Sequence, residues 1–148
     1  MLVAIDNSKN ALRAVDHACF MLSGTDAKVT LFHSKRDVKR FISQAMLDEF
    51  PEVQKFWRQK AGEVIAPFMQ KAKDKLIAAG LKGDRIAIKV VDGSRQPAAD
   101  ILAEAQESKA GTIIMGLRGY SAVEDYKMGS VTRKVLNQAM DMAVSIVP

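Results

Sequence analysis

Three glycines and a serine are spaced in a way that could hold an anion: Gly116-x2-Gly119-x9-Gly129-Ser130. Gly116 directly follows an apolar run, Thr112-Ile113-Ile114-Met115. Glycines after a strand let backbone amides approach a ligand with no Cβ in the way. Gly129-Ser130-Val131-Thr132 opens a helical pattern, whose first amides have no intrahelical partner and carry partial positive charge. The pair of features makes a cradle for phosphate. The hydroxyls of Ser130 and Thr132 could bond phosphate oxygens or a ribose, and Arg118 could add a charged contact. A turn shaped by glycine with Ser130 as its cap is the plainer reading of an arbitrary loop. Placement between a buried strand and a helix favours the cradle.

Other residues carry less. Asp6 ends the apolar run Leu2-Val3-Ala4-Ile5, where it could touch a ligand or cap the next helix. His33 has no serine or cysteine partner in the pattern and reads as a strand histidine. His17 and Cys19 alone do not make a metal site. Lys35, Arg36, Lys39 and Arg40 form a basic stretch at an expected helix start, where the macrodipole disfavours cations. A solvated face explains them, with a regulatory anion or nucleic acid behind it. The sequence has no Gly-x4-Gly-Lys-[Ser/Thr] loop. Residues 6–10 contain no glycine, which excludes a dinucleotide fingerprint there. No catalytic residue and no metal ligand is assigned.

These residues need a scaffold that gathers them, and the patterning supplies one. Strands are expected at residues 2–5, 29–33, 85–91, 112–115 and 143–147, each short, apolar and β-branched. Ala11, Leu12, Val15, Ala18, Cys19 and Leu22 mark a first helix, capped by Asn7 or Ser8 and stopped at Gly24. Residues 37–79 read as helical, broken at Pro51, with Pro67 kinking or restarting the second part. Phe41, Phe50, Phe56, Trp57 and Phe68 follow its period and read as core or interface. Pro97 opens a helix through Ala105, and Val131, Val135, Leu136 and Ala139 mark the last. Strands separated by helices specify a doubly wound five-stranded parallel sheet with helices on both faces. Ligands bind such α/β sheets beyond the carboxyl ends of the strands.

The chain has 148 residues, 48% hydrophobic and 26% charged, the size and composition of one globular domain, expected to span 1–148. Cys19 is the sole cysteine, so no internal disulfide forms, which fits a reducing compartment. No apolar run approaches the roughly 20 residues of a membrane span, and the start lacks a basic leader. The expectation is a cytoplasmic protein with no membrane partner. A net charge of +5 permits anionic partners. Nine aromatics, none interleaved with the basic stretch, argue against nucleic acid as a partner.

The glycine and serine spacing, with Val3-Ala4-Ile5-Asp6-x-Ser8, Val29-Thr30-Leu31-Phe32-His33 and Ile113-Ile114-Met115-Gly116, resembles the ATP-binding branch of the universal stress protein family over nearly the whole chain. The resemblance implies strand order 3-2-1-4-5, a homodimer through the C-terminal strand, and ATP as the ligand, with or without magnesium on its phosphates. By position, Gly116, Gly119, Gly129 and Ser130 would hold phosphates and ribose, with Arg118, Val131 and Thr132 beside them. Asp6 would sit beside the adenosine, Ala4 and Ile5 would line the base, and Ser34 stands where an apolar residue commonly touches adenine.

The chain departs from the family pattern at Asn7, often glycine there, and at Ser34 and Lys127. Its 92–97 loop is longer than usual, and Glu124 and Asp125 put negative charge on the phosphate loop. The implied function is a regulatory or nucleotide-sensing module in stress response, with an unknown protein partner. The alternative is a nucleotide-free family member acting as a dimeric interaction module. As an enzyme it would manage at most slow ATP hydrolysis or autophosphorylation.

Overall fold

The computed structural model describes residues 1–92, 96–119 and 128–148. Its elements run β1 (Leu2–Ala4), α1 (Lys9–Leu22), β2 (Val29–Lys35), α2 (Gln44–Glu49), α3 (Pro51–Ala78), β3 (Ile86–Asp92), α4 (Pro97–Glu107), β4 (Thr112–Gly116), α5 (Ser130–Gln138) and β5 (Ala143–Val147), with short 3-10 turns at Val38–Arg40 and Gly83–Arg85. All strand pairs are parallel, in the order β3-β2-β1-β4-β5.

Alternation along the strands builds two apolar layers. Val3, Leu31 and Ile114 face α1 and the second half of α3, packing on Val15, Ala18, Met69 and Leu76. Their neighbours Leu2, Phe32 and Ile113 face α4 and α5, packing on Ile101, Ala105 and Val135. Each such side chain, fully removed from water, contributes about 1.5–3 kcal/mol. Both faces of the central strands are covered, so the strands read as unbroken apolar runs rather than alternating ones.

Register fixes which residues project at the carboxyl end. Ala4 pairs with Phe32 on one side and Met115 on the other. His33, Ser34 and Lys35 therefore extend past β1, while Gly116 lies one residue past its partner. Because β1 neighbours both β2 and β4, the chain reverses its direction of strand addition there, the place where open α/β sheets hold ligands.

Three details of the helical expectation change. Residues 37–79 break at Pro51 as expected, but the part before it is a 3-10 turn and the short helix α2 rather than one continuous helix. Pro51 is the first residue of α3, where its missing N–H matters least. Pro67 neither ends nor restarts α3, which runs unbroken from Pro51 to Ala78. Pro67 is exposed, so water can reach the carbonyl that its ring deprives of a donor. The basic stretch also escapes the dipole penalty. Asp37 caps the 3-10 turn by accepting from the Lys39 amide, and Lys39 and Arg40 fall at the turn's favourable last residues.

Candidate functional site

A cleft of about 860 Å³ opens over the carboxyl ends of β1, β2 and β4. Ala4, Ile5, Asp6, Ser34, Gly116, Arg118, Gly119, Gly129, Ser130, Val131 and Thr132 all line it. The sequence positions singled out as a cradle are thus brought to one cavity. Glu124, Asp125 and Lys127, and residues 93–95 of the 92–97 loop, lie outside the described residues.

The β1 end is built around Asp6. Its Oδ1 accepts from the Ser8 amide at 3.0 Å, and the Ser8 hydroxyl accepts from Ala11 N–H at 3.0 Å. Helix capping therefore belongs to Ser8, with Asp6 supporting the turn. The other carboxylate oxygen lies against Gly119, where a Cβ would come within 2.5 Å of it. Gly116 is equally tight: a Cβ there would stand 2.8 Å from Cβ and 2.9 Å from the carbonyl carbon of Asn10 in α1. The glycines let β4 and the following turn pass close under the start of α1.

The β4–α5 junction is pinned by backbone bonds. Leu117 donates to the Val147 carbonyl at 2.6 Å, and Gly129 donates to the Leu117 carbonyl at 2.8 Å. The Gly129 amide is therefore already bonded within the protein. This glycine contributes shape, since a Cβ on it would meet Leu117 O at 3.3 Å. Thr132 also differs from expectation. The residue is only 3% exposed, and its hydroxyl donates to the Gly116 carbonyl at 3.0 Å. It ties the first turn of α5 to the end of β4. Among the described residues no side chain caps α5, and Ser130, Val131 and Thr132, whose amides open this helix with its partial positive charge, line the cleft.

Two β2 residues complete the floor. His33 Nδ1 lies 2.6 Å from the Ile5 carbonyl. A carbonyl only accepts, so Nδ1 carries the proton and Nε2 remains an acceptor. Burial pushes the His33 pKa below its ordinary value, with the Ile5 carbonyl and Asp6 opposing. The ring is neutral at physiological pH. Ser34 donates to Asp100 Oδ2 at 2.5 Å, fixing the hydroxyl beside the first turn of α4.

Sequence reasoning missed the roof. Phe56, Trp57, Lys60, Ala61, Val64 and Ile65 of α3 line the cleft, as do Arg36 and Arg40. Phe56 is 62% exposed in the single chain, so it is not a core residue here. Trp57 Nε1 donates to the Arg36 carbonyl at 3.0 Å, and its ring centroid lies 5.4 Å from that of Phe41. The signal for this wall was the paired spacing 56/57, 60/61, 64/65, an α-helical stripe with a cation in it. Among the described charged residues, the lining holds five cations (Arg36, Arg40, Lys60, Arg118, Arg133) and one carboxylate, Asp6. Among the described residues no group of His, Cys, Asp and Glu could hold a metal ion.

Such a cavity suits a ligand with a planar apolar part and a polyanionic part. Residues 1–143 match the model of the Universal stress protein family. The universal stress protein YxiE of Bacillus subtilis (strain 168) is 28% identical over 144 residues, covering 91% of this chain and 89% of that protein. The solved structure of hypothetical protein MJ0577 aligns with a TM-score of 0.80 at 23% identity, over 99% of this chain and 92% of that one, a likeness of fold. A universal stress protein solved in complex with cAMP aligns with a TM-score of 0.67 at 26% identity, over 99% of this chain and 94% of that one.

Proposed function

The chain belongs to the universal stress protein family, and on that premise we propose that its cleft binds an adenine nucleotide, ATP foremost, as a regulatory signal. One observation carries this reading: the uncapped start of α5, the close-passing Gly116 and Gly119, and Arg118 and Arg133 all border one cavity at the sheet's switch point. Phosphates would rest on the α5 amides and these two guanidiniums. Ala4 and Ile5 would line the base, with Asp6 beside the ribose. Thr132 would act by holding α5 to β4 rather than by touching phosphate. The relative solved with cAMP supports the adenine part of the reading.

The readout would be a population shift. A ligand that bridges β1, β4, α5 and α3 favours whichever arrangement of these elements it contacts best, and a partner reads that arrangement. Pairing of two copies through β5, the outermost strand of the sheet, would give a cytoplasmic homodimer. Among the described residues no helix is long and apolar enough to cross a membrane.

Titration calorimetry of the purified full chain with ATP, AMP and GTP, with and without magnesium, tests the reading. ATP is expected to bind, and Gly119→Val to abolish the heat while the circular dichroism spectrum is kept. Absence of binding by the wild-type chain at millimolar ATP with magnesium would overturn it.

A further inference from the structure

Purine nucleotides differ from one another at the edge of the base, so the polar atoms beside the base decide which of them a site accepts. With its phosphates at the start of α5, a nucleotide carries its base across β1 toward β2. β2 and β4 flank β1 on opposite sides, about 10 Å apart, two strand spacings. The lining on that side is apolar: Ala4 of β1, Pro97 and Ile101 of α4, and Val131 of α5. Ala4, Ile101 and Val131 belong to the layer between the sheet and the helices α4 and α5. Along β2, Leu31 faces the α1–α3 layer and Phe32 the α4–α5 layer. Alternation therefore puts His33 on the first side and Ser34 on the second. Ser34 lines the cleft and is the polar side chain that β2 brings to this apolar strip.

The hydrogen-bonding sense of Ser34 is fixed. A hydroxyl has one proton to give and two lone pairs that accept. The Ser34 proton goes to Asp100 Oδ2 at 2.5 Å, the length of a charge-assisted bond to a carboxylate. An ionised carboxylate only accepts, so Asp100 cannot return a proton. Asp100 is held in the first turn of α4, which Pro97 opens. Ser34 makes no other side-chain bond among the described residues. Its oxygen therefore presents lone pairs to the cleft and no donor. The 6-amino group of adenine brings an N–H to such an atom. The 6-oxo oxygen of hypoxanthine or guanine sets lone pair against lone pair. An apolar side chain at this position would discriminate far less, because a pocket without a polar partner rejects a wrong polar group only weakly.

We infer that Ser34 is a specificity-determining residue that reads the 6-amino group of the base, so that the cleft accepts 6-aminopurine nucleotides and rejects 6-oxopurine ones. Asp100 is a positioning residue that acts through the Ser34 hydroxyl. The inference rests on the adenine-nucleotide reading above and names the atom that enforces it.

Calorimetry on the full chain with ATP, inosine triphosphate and purine riboside triphosphate, with magnesium at one ionic strength, tests it. The three share sugar and phosphates and differ at the six-membered edge of the base. ATP is expected to bind about tenfold more tightly than either of the others, the effect of one matched hydrogen bond against an unmatched acceptor. Ser34→Ala should bring ATP and inosine triphosphate to within about threefold of each other, chiefly by weakening ATP. Asp100→Asn supplies an amide that can donate to the Ser34 oxygen and free its proton, so inosine triphosphate should gain affinity while ATP loses it. A purely structural role for Asp100 would weaken both ligands alike. Melting temperatures check that the variants fold, and the three-ligand comparison on the wild-type chain stands without them. Wild-type affinity for inosine triphosphate or purine riboside triphosphate equal to or above that for ATP would overturn the role of Ser34 with nucleotide binding intact. So would an unchanged ratio in Ser34→Ala. Absence of binding by all three ligands would overturn the adenine-nucleotide reading as well.

Discussion

The Oδ2 oxygen of Asp6 occupies the space that a side chain on Gly119 would need, 2.5 Å from the position of its Cβ. The two residues come from opposite flanks of the switch point, one after β1 and one after β4, so their contact sets the depth of the cleft floor. Gly116 stands in a similar relation to Asn10, but the obstacle there is helix backbone at 2.9 Å. A carboxylate can rotate away, whereas a helix start cannot. Gly119→Ala should therefore change stability by well under 1 kcal/mol and still displace Asp6 from the Ser8 amide. Gly116→Ala should destabilise by about 1–3 kcal/mol, the range for overpacking. Urea unfolding of both variants checks this, and the idea fails if their order is reversed.

His33 gives the site a pH dependence. Burial lowers its folded pKa below the ordinary 6.5, while the unfolded ring keeps that ordinary value. Above 6.5 both states are neutral and the contribution is complete. As pH falls below 6.5 the unfolded chain takes up the proton first, so stability falls toward the folded pKa. Melting temperature should drop between pH 7 and pH 5 in the wild-type chain, and less in His33→Gln. Parallel curves for the two proteins would remove His33 as the cause.

The floor of the site was legible in the sequence because its cues are local. Val3-Ala4-Ile5 and Ile113-Ile114-Met115 read as strands buried on both faces, and the glycine spacing sits directly on the end of one of them. The roof was not. Phe56, Trp57 and Val64 repeat at helical spacing as core residues do, and periodicity alone does not say whether the stripe faces a core or a cavity. That depends on where α3 lies. Its second half is anchored by Met69, Ala72 and Leu76, and its first half is carried over the strand ends. The Thr132 hydroxyl looked like a ligand contact for a related reason: its partner, the Gly116 carbonyl, is 16 residues away in sequence.

Lys89 and Glu104 brace the edge of the sheet against α4. Glu104 is buried with 7% of its side chain exposed, and Lys89 Nζ lies 2.5 Å from its carboxylate. Glu107, 3.2 Å from the same ammonium, is largely exposed. Removing the ammonium strands a buried carboxylate, whereas removing the exposed one leaves the pair intact. Lys89→Met should lower the melting temperature clearly and Glu107→Gln should barely change it. The double variant Lys89→Met, Glu104→Leu should recover most of the loss, because a buried pair replaced by apolar residues is often neutral. A double variant no better than Lys89→Met alone would show that packing, not charge, sets the effect.

Two residues weaken α3 between its anchored half and the half that roofs the cleft. Gly62 has nothing within 4 Å of the position its Cβ would take, and its φ is ordinary for a helix. Alanine there should stabilise by about 0.5–1 kcal/mol, mostly by restricting the unfolded chain. Pro67 is exposed and lies inside the helix. Alanine there restores a donor to the carbonyl four residues back and should stabilise by up to about 3 kcal/mol. Slower hydrogen exchange over residues 51–64 in Gly62→Ala, with little change over 69–78, would place the weak point between the two halves. Uniform slowing along α3 would instead mean that the helix opens as a single unit, and that the roof moves only when the anchored half lets go.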